Sequence, residues 1–283
     1  MLVLREKGET MVAVVTGAGS GIGLRCVEKL LLRDYIVVAW VKNKVDEELM
    51  LADLALKNIR VHRLYVVHAD FIDLSSVTEA TRETLELLGE LNSGLDAFIN
   101  CAGVFSGKNF TPHAENEEQK IVNLQAPLAL LNSLGAELEK CTNSRAIFVV
   151  ADRLKPKITP NRINTFTRAY YFSKTELARA LTSLAKKGTK YGILMVSPRP
   201  STTDFYIKNT IGLRQKMGFI RKMFSLPPEY TAEQITTLAT RPEYANESGT
   251  LYRDMRPVAL PTDFFATHTL SQAPAESSQH ELV

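Results

Sequence analysis

Cysteine is scarce in this chain, and what there is does not pair. Cys26, Cys101 and Cys141 are three in 283 residues. The number is odd and there is no C-x-x-C, so neither a disulfide framework nor a zinc site is expected. A reducing, cytoplasmic setting fits that usage. The five histidines form no H-E-x-x-H pair. Long apolar runs are also missing: nothing approaches the ~20 residues that cross a bilayer. The opening "MLVLREKGET" turns charged too soon for a signal peptide, and the polar close "THTLSQAPAESSQHELV" is expected to fray. A net charge of +3 calls for no nucleic-acid partner.

What is present is an alternation. "MVAVVTG" (11–17), "YIVVAWV" (35–41), "RVHRLYVVHAD" (60–70), "LDAFINCAG" (95–103), "RAIFVVA" (145–151) and "YGILMVSP" (191–198) contain apolar, β-branched runs that read as buried strands. "GTLYRD" (249–254) is a candidate seventh. Between them, 20–33, 45–58, 73–91, 115–140 and 169–187 carry helical patterns, the fourth despite Pro127. Strands that are apolar on both faces and alternate with helices predict one α/β domain, a doubly wound, mostly parallel sheet over 11–262. Residues 1–10 are expected as an extension and 263–283 as a tail. Ligands of such sheets lie at the carboxyl ends of the strands.

"TGAGSGIG" (16–23) joins the first strand to the first helix. Glycines at 17, 21 and 23 permit a tight turn, bring backbone N–H groups near a phosphate and let the helix pack close. The lysine of a P-loop is missing, which argues against a triphosphatase. The spacing is G-x-x-x-G-x-G rather than G-x-G-x-x-G.

With that turn, "NCAG" (100–103), "VNL" (122–124) and Tyr170 four residues before Lys174, the chain resembles a short-chain dehydrogenase/reductase over roughly residues 10–255. The resemblance implies a nicotinamide cofactor held by Gly17, Ser20, Gly21, Ile22 and Gly23, by Asp70 and Phe71 at the adenine, by Asn100, Ala102 and Gly103, and by Tyr170, Lys174 and Thr203. The family marks NAD with an acidic residue after the second strand. Here Val41 and Lys42 stand there, so NADP is expected and NAD is the lesser alternative. The resemblance also implies that Tyr170 protonates the substrate oxygen, that Lys174 lowers the phenol's pKa and holds ribose, and that Asn123 supports a proton path. Homodimers or homotetramers are expected.

The family's catalytic serine has no counterpart. Its position falls on Ala151 or Asp152, and Tyr170 follows 18 residues after Asp152. Three explanations stand. Asp152 replaces the serine, an arrangement similar to pteridine reductases; an ionised carboxylate only accepts hydrogen bonds, so it suits substrates offering N–H donors. Alternatively Thr159, Thr165 or Thr167 supplies a hydroxyl. Or the site has decayed, leaving a cofactor-binding or scaffolding protein. In "SPRPSTTD" (197–204) Arg199 stands where the family commonly has glycine. The loop 153–169 carries five basic residues and no acidic one, a field that draws anions, and 205–222 adds five more basic residues. Apolar residues from Phe205 to Phe224 read as a lid or as core. Residues 228–254 are similar to the closing part of retinol-dehydrogenase-like members, which hints at lipophilic carbonyl substrates. The expectation is an NADPH-dependent oxidoreductase acting on a carbonyl or imine-like carbon of a small molecule.

Overall fold

The computed structural model describes residues 11–105, 117–199, 226–261 and 264. One eight-stranded sheet organises them, in the order β3-β2-β1-β4-β5-β6-β7-β8. The strands are β1 (Val12–Thr16), β2 (Ile36–Val41), β3 (Leu64–His68), β4 (Ala97–Asn100), β5 (Arg145–Val149), β6 (Gly192–Val196), β7 (Thr250–Arg253) and β8 (Arg256–Val258). All pair in parallel except β7 with β8. The six sequence-predicted strands and the candidate seventh are present, each one to several residues shorter than its apolar run. The hairpin strand β8 is an addition: "RPV" has no alternation and contains a proline, which suits a sheet edge.

Strand periodicity divides the core. Val12 and Val14 point to the face covered by α3 (Leu74–Glu90), α5 (Ala126–Glu139) and α6 (Phe166–Lys187). Ala13 and Val15 point to the face covered by α1 (Gly21–Leu31), α2 (Lys44–Leu56) and α7 (Pro228–Thr240). All four are fully buried, each valine contributing about 1.5–3 kcal/mol. The strand order reverses between β1 and β4, so a crevice opens beyond Thr16 and Asn100, which lie side by side.

The helix expected over 115–140 begins with α4 (Glu118–Lys120) and reaches α5 through a π-helical turn, Ile121–Gln125. Pro127 has no N–H to give to the carbonyl of Asn123, four residues back. The Ala126 N–H instead reaches the carbonyl of Ile121, five back. Proline therefore widens the helix rather than ending it, and such bulges are frequent at functional sites. Asn123 sits inside this one.

Candidate active site

Three carboxyl ends converge at the crevice. After β1, Gly17 and Gly21 adopt positive φ (+64° and +54°), a conformation that favours glycine. A Cβ on Gly17 would lie 2.8 Å from the Ala102 nitrogen, and one on Gly23 would lie 2.2 Å from the Gly17 carbonyl oxygen. The two turns thus touch backbone to backbone. Thr16 couples them further: its hydroxyl donates to Asn100 Oδ1 at 2.9 Å and accepts from the Ala102 N–H at 3.3 Å. Its role was not anticipated; only its place beside the glycine turn signalled it. Ser20 caps α1 by position without a side-chain hydrogen bond, and Ile22 is half-buried.

Beside the turn lies a cavity of about 200 Å³ lined by Gly17, Val41, Lys42, Asp70, Phe71, Ala102 and Gly103, among others. Trp40 also lines it, edge-on to Phe71 at 6.2 Å. The ammonium of Lys42 is 3.2 Å from Asp70 Oδ2, and both side chains are exposed. Two residues expected to meet a cofactor separately therefore meet each other. The residues present fit a dinucleotide: a glycine cradle with no room for a Cβ, an adjoining cavity of nucleotide scale, and a buried Asn100 Nδ2 with no acceptor among the described residues.

Asn123 is fully buried. It clamps the chain after β4, accepting from the Val104 N–H and donating to the Val104 carbonyl, both at 2.8 Å. It also donates to Ser173 Oγ at 3.4 Å, and that hydroxyl donates to the Tyr170 carbonyl at 3.0 Å. Ser173, absent from the sequence expectations, is thus the link between the π turn and α6. Lys174 follows on the same helix, 3% exposed. Its Nζ donates to the Val149 carbonyl at 3.1 Å, and a Cβ on Gly103 would come within 3.2 Å of it. Burial pushes its pKa down to about 8, with Cys101 pulling the other way. Cys26, fully buried on the α1 face of the sheet, has its thiol pushed up by burial and by its hydrogen bond with Cys101.

Tyr170 is 4% exposed and packs edge-on to Phe105 at 5.2 Å and to Tyr171 at 5.4 Å, with Ala151 in the same cluster. Asp152 Oδ1 accepts from the Tyr171 hydroxyl at 3.1 Å. Thr165 caps α6 by accepting from the Arg168 N–H, and Thr159 donates to Asn161. Arg199, at the family's glycine position, reaches away to Asp254, its Nε 2.8 Å from Oδ2, and holds that carboxyl below its usual range. Thr203 and the apolar stretch 205–224 lie outside the described residues.

Among the described residues no helix is long and apolar enough to cross a membrane. The family model described as short chain dehydrogenase matches residues 11–213. An uncharacterized oxidoreductase of Staphylococcus haemolyticus is 24% identical over 237 residues, covering 83% of this chain and 93% of the relative. One from Thermotoga maritima is 29% identical over 210 residues, covering 74% and 77%. A short-chain dehydrogenase/reductase of unknown function from Caenorhabditis elegans, solved with cofactor, shares the fold at TM-score 0.70 and 19% identity, covering 84% of this chain and 91% of that one. A Burkholderia cenocepacia short chain dehydrogenase in complex with NADP does so at 0.65 and 20%, covering 85% and 94%. With most of its length matched and an eight-stranded Rossmann-like sheet around a glycine cradle, the chain belongs to the short-chain dehydrogenase/reductase family of oxidoreductases.

Proposed function

We propose that the chain is an NADPH-dependent reductase acting on a carbonyl or imine-like carbon of a small molecule, with Tyr170 as general acid. The observation that carries this reading is an ammonium withdrawn from water, Lys174, one helical turn from Tyr170 at the crevice where β4 and β5 end. In this reading Gly17, Ser20, Gly21, Ile22 and Gly23 hold a pyrophosphate at the start of α1. Lys42 leaves Asp70 to meet the 2′-phosphate, and Asp70 and Phe71 flank the adenine. Asn100, Ala102 and Gly103 run beside the dinucleotide, Lys174 reaches ribose, and Thr203 reaches the nicotinamide end. The bound dinucleotide supplies hydride.

The chain's own groups handle the proton. Tyr170 Oη holds it and releases it to the substrate oxygen. A free phenol, with a pKa near 10, is a weak acid at neutral pH; a protonated Lys174 nearby favours the phenolate left behind. Asn123 keeps the turn after β4 closed against Lys174 and so preserves the route by which Tyr170 is reprotonated. A cytoplasmic homo-oligomer belongs to the same proposal, on the cysteine usage and the family's habit.

A second reading, a catalytically impaired cofactor-binding or scaffolding protein, is favoured by one observation: Ala151 packs beside Tyr170 while Asp152 is engaged by Tyr171. NADPH titration followed by NADPH oxidation with ketones, quinones, retinoids and pterins separates the two. Binding with no turnover of any of them supports the second reading.

A further inference from the structure

The fold brings two of the three cysteines together. Cys26 lies on α1 and Cys101 directly follows β4, far apart in the sequence. Both belong to the apolar cluster between the sheet and α1, where a hydrogen bond joins their thiols. Cys26 is fully enclosed, whereas Cys101 is partly exposed. The third, Cys141, is buried against Gly94 just past α5.

Cys101 is placed at the crevice by its neighbours. Its N–H donates to the Thr16 carbonyl at 3.3 Å, and a Cβ on Gly17 would lie 3.0 Å from its carbonyl carbon. Gly17, Ala102 and Gly103 line the cavity. The buried Lys174 ammonium is near enough that its charge and that of a Cys101 thiolate attract. A thiolate, not a thiol, is the form that attacks an oxidant. A partly exposed sulfur beside an ammonium, with a second sulfur already in contact, has the parts of a redox-sensing cysteine and its resolving partner. In a reducing compartment such disulfides are transient.

We propose that Cys101 and Cys26 form a peroxide-oxidised pair whose disulfide distorts the glycine cradle and weakens dinucleotide binding. The Cys101 thiolate attacks one oxygen of hydrogen peroxide. The O–O bond breaks, hydroxide leaves and takes a proton from solvent, and Cys101 becomes a sulfenic acid. Cys26 sulfur then attacks the Cys101 sulfur. The S–O bond breaks, and the hydroxide released takes the Cys26 proton and leaves as water. The two thiols are oxidised by two electrons and the peroxide is reduced to two waters. A disulfide holds its sulfurs about 2.05 Å apart, closer than a thiol hydrogen bond, so closing it draws α1 toward the turn after β4. The glycine cradle joins these elements without slack: a Cβ on Gly23 would already lie 2.2 Å from the Gly17 carbonyl oxygen. The covalent step stands apart from the reductase reading; its effect on binding rests on the coenzyme assignment in that reading.

The test treats the full chain with millimolar hydrogen peroxide, then alkylates, digests and weighs it. NADPH binding is followed through Trp40, the one tryptophan in the sequence, which lines the cavity. Oxidised wild type is expected to yield a peptide linking Cys26 to Cys101, two hydrogens lighter than the reduced pair. Its dissociation constant for NADPH should rise at least about tenfold, and dithiothreitol should reverse both changes. Cys26→Ala should leave Cys101 as a sulfenic acid that dimedone traps, and Cys141→Ala should form the link as wild type does. A Cys101 thiol that survives the peroxide, or a link to Cys141 in place of Cys26, overturns the proposal. So does a linked protein that binds NADPH as tightly as the reduced one. If NADPH fails to bind even the reduced chain, the coenzyme reading falls, and the linked peptide still decides the pair.

Discussion

The Lys174 ammonium donates to the Val149 carbonyl at 3.1 Å from inside the protein. That single bond to β5 offsets only part of the lost hydration, and burial holds the pKa near 8 against an ordinary 10.5. Below about pH 8 the folded and unfolded chains both carry this proton. Between about 8 and 10.5 only the unfolded chain does, so stability rises with pH across that window. Lys174→Met should remove the cost, raising stability at pH 7 by up to roughly 3 kcal/mol and flattening the rise. Urea unfolding at pH 7 and pH 10 measures both. A variant less stable than wild type at pH 7 contradicts the burial account. Cys101 is the neighbour whose charge opposes the effect of burial on Lys174, and Cys101→Ala should leave the sign of the effect unchanged.

Glycine substitutions separate contact from propensity. Gly23→Ala drives a Cβ to within 2.2 Å of the Gly17 carbonyl oxygen, backbone that cannot yield cheaply. It should cost about 1–3 kcal/mol and abolish NADPH binding. Gly89→Ala, with nothing within 4 Å, should stabilise by about 0.5 kcal/mol. Thermal unfolding and NADPH titration of the two variants check the contrast.

Lys42→Ala tests the coenzyme assignment. The Lys42–Asp70 pair is exposed on both sides, so stability should change by no more than about 0.5 kcal/mol. The dissociation constant for NADPH should rise by about tenfold while that for NADH stays put. Equal weakening of both would remove Lys42 from 2′-phosphate recognition.

Much of the fold was legible because buried parallel strands write themselves as uninterrupted apolar runs. β1 and β2 are completely enclosed apart from Ile36 at the edge of the run. The π turn was not legible: Pro127 flags a disturbance, but whether a helix breaks or widens depends on what packs against it. β8 was missed because its three residues carry no apolar pattern. In the site, the four-residue step from Tyr170 to Lys174 is local and readable. The grip of Tyr171 on Asp152 spans a 19-residue separation across a loop, and no local rule relates them. Arg199 read as a departure from the family's glycine; its pairing with Asp254, 55 residues on, could not be read locally.

Asn123→Ala should remove both bonds to the Val104 backbone and leave a part-buried N–H and C=O unpaired. A loss of about 2–4 kcal/mol is expected, with KM for NADPH raised because Gly103 and Val104 border the cavity. Denaturant unfolding and steady-state kinetics measure the two effects; a loss below about 0.5 kcal/mol contradicts the clamp.

The most direct test compares Tyr170→Phe with wild type at saturating NADPH, on the best substrate of the carbonyl panel. Removing the Tyr170 hydroxyl is expected to lower kcat by about 10²–10⁴-fold, with NADPH affinity retained. A Tyr170→Phe enzyme that turns over as fast as wild type would contradict the account.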